Sequence, residues 1–111
     1  MNGKKINKIV SKAIETTICY DSEETIIIEN TVFKIKIIEN DLKYKNRALL
    51  SISYDENNVK SLNPKTLAKI ILFGLSENNV YVSELNNTVA YRTTSVFFET
   101  INDIRFIVEE E

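Results

Sequence analysis

TIIIENTVFKIKIIENDLKYKNRALLSISY, residues 25–54, is the stretch whose reading decides the fold. Thr25 to Glu29 and Thr31 to Ile38 are dense in β-branched side chains, which suit a pleated backbone, and Phe33, Ile35 and Ile37 alternate with Lys34 and Lys36. Two strands are predicted there. From Leu42 to Tyr54 a longer alternation sets Leu42, Tyr44, Asn46, Ala48, Leu50, Ile52 and Tyr54 against Lys43, Lys45, Arg47, Leu49, Ser51 and Ser53. A period of two predicts one long, half-buried strand with room for a bulge.

Before this stretch, Ile6, Ile9, Val10, Ala13, Ile14 and Ile18 recur at intervals of three and four, while Lys5, Lys8, Lys12 and Glu15 take the other side. That spacing predicts an amphipathic helix over 3–17. After it, Asn63 can cap a helix whose first position is Pro64, where the missing N–H costs least. This second helix should run to Ser76, and Leu67, Ala68, Ile70, Ile71, Leu72, Phe73 and Leu75 leave it little polar face, so it reads as a central core helix. Gly74 would permit close approach near its end. Val80 to Leu85 and Thr88 to Thr94 form a further hairpin. Val96 to Val108 fits either a hairpin or a helix, and the β-prone run Ile104 to Val108 favours strand.

With two glycines and one proline in 111 residues, the turns must be marked otherwise, and Asn-Asx pairs serve: Asn40-Asp41, Asn57-Asn58, Asn78-Asn79, Asn86-Asn87 and Asn102-Asp103. No repeat or low-complexity linker interrupts the chain. The reading is one α+β domain over 1–111, with a mostly antiparallel sheet of about five to seven strands and the N-terminal and central helices packed on it. Glu109, Glu110 and Glu111 read as a frayed acidic end.

Composition narrows function chiefly by exclusion. No histidine, no tryptophan and a single cysteine, Cys19, remove Ser-His-Asp and Cys-His chemistry and nearly all zinc sites. Cys19 reads as a small hydrophobe, and the chain as free of intramolecular disulfides, without a signal peptide or membrane span, and cytoplasmic. A net charge of −2 fits neither a generally basic nucleic-acid binder nor an acidic DNA mimic. Abundant Ile, Asn and Lys with scarce Gly, Pro and Arg match AT-rich coding, as in low-GC bacteria, their plasmids or phages.

Three constellations stand out. A two-residue turn at Asn40-Asp41 would pair Ile37 with Tyr44, Lys36 with Lys45 and Lys34 with Arg47, gathering Lys34, Lys36, Lys43, Lys45 and Arg47 on one face. Such like-charge pairs call either for an anionic partner or for edge protection by solvated lysines. Among the tyrosines, Tyr44 and Tyr54 share the Leu50/Ile52 face and read as core or core-rim, whereas Tyr81 and Tyr91 fall on opposite faces and are candidate interface aromatics. Glu39 and Asp41, or Asp21, Glu23 and Glu24, could serve a Mg²⁺-dependent enzyme only without a recognisable catalytic spacing, so no metal or cofactor is expected. The leading expectation is a small non-enzymatic binding protein acting through a macromolecular surface, such as an inhibitor or anti-defence accessory protein of a phage or mobile element. Its partner would be a protein or a protein–nucleic-acid complex, with bare nucleic acid less expected and homo-oligomerisation open. Sequestration of a nucleotide by the same cations and a tyrosine is the alternative, and a structural or assembly role the third.

Overall fold

The computed structural model describes residues 3–55, 57, 63–77, 79–84 and 87–111, of which 73, 74, 76, 77, 79–84, 87 and 88 are described by backbone alone. The amphipathic helix α1 spans Gly3–Tyr20 and buries Ile6, Val10, Ala13, Ile14, Thr17 and Ile18. It runs three residues beyond the predicted end, because the chain leaves the helix only at Asp21, whose φ of 49° is the left-handed conformation that closes a helix. Strands β1 (Glu24–Ile28) and β2 (Thr31–Asp41) follow, joined by Glu29 and Asn30 at φ 51° and 62°. Two consecutive left-handed residues make the tight turn whose twist matches antiparallel strands.

The stretch after β2 departs from expectation. Asn40-Asp41 is not a turn: both residues remain in β2, and the chain reverses through a single helical turn, α2 (Leu42–Lys45), and Asn46 at φ 54°. The Asn40 Oδ1 accepts a hydrogen bond from the Leu42 N–H (3.2 Å), which starts that turn. The long strand therefore begins later, as β3 (Arg47–Tyr54). Phe33 pairs with Tyr54, Ile35 with Ile52 and Ile37 with Leu50, and a bulge at Ile38 shifts the register before Glu39 pairs with Leu49. The predicted pairings of Lys36 with Lys45 and Lys34 with Arg47 are replaced by Lys36 with Ser51 and Lys34 with Ser53. Parity nevertheless survives from Ala48 onward, and Ala48, Leu50, Ile52 and Tyr54 are all buried. Tyr44, expected in the core, sits on α2 and is 81% exposed.

Helix α3 (Pro64–Glu77) starts as its sequence dictates, with the Asn63 Oδ1 accepting from the Lys65 N–H at 3.0 Å. Leu67, Ala68, Ile71 and Leu75 face the core, while Ile70 is partly exposed. The approach expected at Gly74 lies outside the described side-chain environments, and the pairs Asn57-Asn58, Asn78-Asn79 and Asn86-Asn87 each include a residue outside the description. Strands β4 (Asn79–Glu84) and β5 (Asn87–Thr100) close on the pair Glu84 and Asn87, so Asn87 belongs to the strand, Tyr81 pairs with Ala90, and Val80 with Tyr91. The ambiguous segment is a hairpin: β5 pairs with β6 (Asp103–Glu110) across a turn at Ile101 and Asn102, one residue ahead of the expected Asn102-Asp103. Three hydrogen bonds clamp that turn to the end of β3: Tyr54 N–H to the Asn102 carbonyl (3.2 Å), Asn102 Nδ2 to the Tyr54 carbonyl (3.0 Å), and the Tyr54 hydroxyl to the Ile101 carbonyl (3.1 Å).

The strands form one antiparallel sheet in the order β1-β2-β3-β6-β5-β4. Helix α1 packs against both edge strands, β1 and β4, as well as β2 and α3. A flat six-stranded sheet would hold its edges about 24 Å apart, so the sheet must curl around α1 for one helix to reach both. Phe33, Ile35, Leu50, Ile52, Ile104 and Phe106 line the inner face with no solvent exposure, meeting Ile6, Val10 and Ile14 of α1. Element order also has a symmetry that the residues do not repeat: ahead of β1-β2-β3 stands α1, ahead of β4-β5-β6 stands α3, and β3 meets β6 at the centre. Among the described residues no helix is long and apolar enough to cross a membrane.

Candidate functional site

Helices α1 and α3 lie on the inner side, so the outer face of the sheet is covered by neither. Cross-strand pairing organises its side chains into four rows. At one end Asp41, Arg47, Glu109 and Arg92 lie side by side on β2, β3, β6 and β5, an alternation in which each cation has an acid beside it. The next row is Glu39, Leu49 and Ile107, with Thr94 Oγ1 donating weakly to the Ile107 carbonyl at 3.5 Å. The third is Lys36, Ser51, Arg105 and Phe97. The last is Lys34, Ser53, Asp103 and Thr100.

The third row is the chemically distinctive one. It holds two cations and no acid, and ends on a phenyl ring that is 43% exposed. Ser51 is 1% exposed although it lies on the outer face, and its hydroxyl has no hydrogen-bond partner, nor does the buried Nε of Arg105. In the neighbouring row Asp103 Oδ1 is likewise buried without a partner. The Arg105 Nη2 stands 3.6 Å from Asp103 Oδ2, and the side chain remains about a quarter exposed. Two depressions flank this row: one of about 490 Å³ lined by Val32, Lys34, Ser53, Tyr54, Asp55, Thr100, Asn102 and Asp103, the other of about 200 Å³ beside Glu39, Asp41, Lys45 and Arg47.

The five cations gathered by the sequence reading are thus dispersed. Lys34 and Lys36 lie on the outer face, but Lys34 reaches Glu23 at 3.7 Å. Arg47 stands between Asp41 and Glu109. Lys43 and Lys45 are on α2, where the Lys43 ammonium lies over the Tyr44 ring, 5.5 Å from its centroid. Lys36 alone of the five keeps its place in a row without acids, and no ion pair to it occurs among the described residues. Tyr91 is buried on the inner face, which removes it as an interface aromatic; the side chain of Tyr81 lies outside the description. Arg105 and Phe97 were missed because both fall in the segment that read as either hairpin or helix. Once Ile104, Phe106 and Val108 are set on the inner face, parity alone places Arg105 outside.

Among the described residues no three His, Cys, Asp or Glu side chains are grouped as a metal site. No protein-family model matches the chain, and comparison with curated proteins and with solved structures finds no match.

Proposed function

We propose that the chain is a non-enzymatic binding protein that docks a partner protein on the outer face of its sheet. The observation that supports this is the row Lys36, Ser51, Arg105 and Phe97, which offers a carboxylate two cations beside an exposed aromatic anchor. Leu49 and Ile107, half-buried in the adjoining row, extend the apolar area. Aromatic and arginine side chains at the centre of a patch are the usual energetic anchors of protein interfaces. The partner is accordingly a protein surface presenting an acidic residue next to an apolar one. The narrower role, an inhibitor or accessory protein of a phage or mobile element, draws only on the AT-rich composition.

Native mass spectrometry of the protein purified gently from its own host should report a mass above the 12.8 kDa chain by one whole partner protein. The double variant Lys36→Glu, Phe97→Ala should lose that partner while its thermal midpoint stays within a few degrees, since both side chains are exposed. Partner retention by the folded double variant would remove the outer face from the function. Nucleotide sequestration finds a depression of suitable size in the about 490 Å³ hollow. Its lining sets the carboxylates of Asp55 and Asp103 against the single ammonium of Lys34, a balance that repels phosphate.

A further inference from the structure

The net charge of −2 conceals a segregation between layers. Helices α1 and α3 carry Lys4, Lys5, Lys8, Lys12, Lys65 and Lys69 against Glu15 and Glu77, an excess of four positive charges; the rest of the chain carries eight cations against fourteen carboxylates, an excess of six negative ones. All six lysines are exposed. On α1 they occupy the arc opposite Ile6, Val10 and Ile14, and on α3 Lys65 and Lys69 stand away from Leu67, Ala68 and Ile71. The two helices pack together on one side of the sheet, which places all six lysines on that side of the molecule.

A merely solvated helix would mix its signs. Here Lys4 with Lys8 and Lys8 with Lys12 are like-charge neighbours four residues apart, which destabilise a helix. No acid stands in the first turn of α1, and Lys4 and Lys5 oppose the positive end of the helix dipole. Lys12 reaches Glu15 at 3.9 Å while remaining 75% exposed, and no ion pair to Lys4 or Lys8 occurs among the described residues.

We propose that this α1/α3 surface binds the phosphate backbone of nucleic acid without reading its sequence. Lys4, Lys8 and Lys12 recur every four residues, about 6 Å apart along α1, a row of point charges suited to phosphates. Lysine in place of arginine gives positioning on phosphates without bidentate base recognition. An anionic bilayer is the lesser fit, because the apolar side of α1 is consumed by the core and has nothing to insert. The excess negative charge of the sheet side would orient the molecule, helices toward the polyanion and outer face free for a protein. This inference is independent of the outer-face reading, and either can fail alone.

The test is fluorescence anisotropy of a labelled random-sequence duplex of about 20 base pairs, titrated with the full chain from about 50 mM to about 200 mM salt. With four to six lysines engaged, the logarithm of affinity should fall against the logarithm of salt with a slope of about −4 to −5. In the variant Lys4→Gln, Lys8→Gln, Lys12→Gln the slope should flatten by about 3, with affinity at low salt down at least about tenfold. The thermal midpoint of this variant should not fall, since the substitutions relieve repulsion. The Lys36→Glu, Phe97→Ala variant should bind the duplex as the native chain does. No duplex binding at about 50 mM salt, or unchanged binding by the triple variant, overturns the proposal. So does lysine-dependent binding to phosphatidylcholine vesicles with about 30% phosphatidylserine in the absence of duplex binding, which assigns the surface to a membrane. Salt-sensitive self-association without duplex binding likewise overturns it and assigns the surface to the acidic side of a second copy.

Discussion

Tyr54 does more than its aromatic character requires. Its ring meets Phe33 edge-on at 5.6 Å and 71°, its hydroxyl donates to the Ile101 carbonyl, and its backbone exchanges hydrogen bonds with Asn102. Tyr54→Phe keeps the ring contact and leaves a half-buried carbonyl short of a donor, so urea denaturation should show a loss of about 1 kcal/mol. Asn102→Ala, which removes the side-chain donor to the Tyr54 carbonyl, should cost about the same, and the two losses should be non-additive because both act on one turn. A loss under a few tenths in both would show that the clamp contributes nothing. The contrast with Tyr44 shows what parity can and cannot reach at this scale. Both tyrosines lie on one face of the alternating run, but the four residues Leu42–Lys45 also fit a single helical turn, and in so short a piece no period distinguishes the two.

Elements were legible where the signal is chemical and blurred where it is only spacing. Asn63 followed by Pro64 states the start of α3 outright, and Asn63→Ala should destabilise the protein by about 1 kcal/mol, read from thermal or urea unfolding. The β1–β2 turn falls at the expected break between Thr25–Glu29 and Thr31–Ile38, but it takes in Glu29, a residue with no preference for positive φ. Register was the costliest error. Asn40-Asp41 looks like a turn but precedes one, and the displacement of the β2–β3 pairing that follows is what turned a mixed-charge face into an apparent basic hairpin. The candidate row, Lys36, Ser51, Arg105 and Phe97, joins residues up to 69 positions apart, and its assembly depends on β3 meeting β6, which no local pattern in a single sequence announces.

At the scale of the molecule the order β1-β2-β3-β6-β5-β4 divides the chain into two αβββ halves that meet only by completing each other. The β3–β6 ladder runs from Arg47 with Glu109 to Ser53 with Asp103 across the middle of the sheet, and α1 of the first half packs on α3 and β4 of the second. Either half alone would expose the faces of Leu50 and Ile52 or of Ile104 and Phe106, all fully buried in the whole, together with a central strand stripped of one neighbour. A half also falls near the size at which a single core rarely supports folding. Fragments cut between 57 and 63 should each be unfolded by circular dichroism, while an equimolar mixture should recover the native spectrum and cooperative melting at micromolar concentration. Independent folding of the first fragment would mean that the curl of β1-β2-β3 around α1 already closes a core, and that the second half is an addition to it. Failure of the mixture to reassemble would show that the covalent link, rather than complementarity between β3 and β6, holds the outer-face row in place, because Lys36 and Ser51 come from one half and Arg105 and Phe97 from the other.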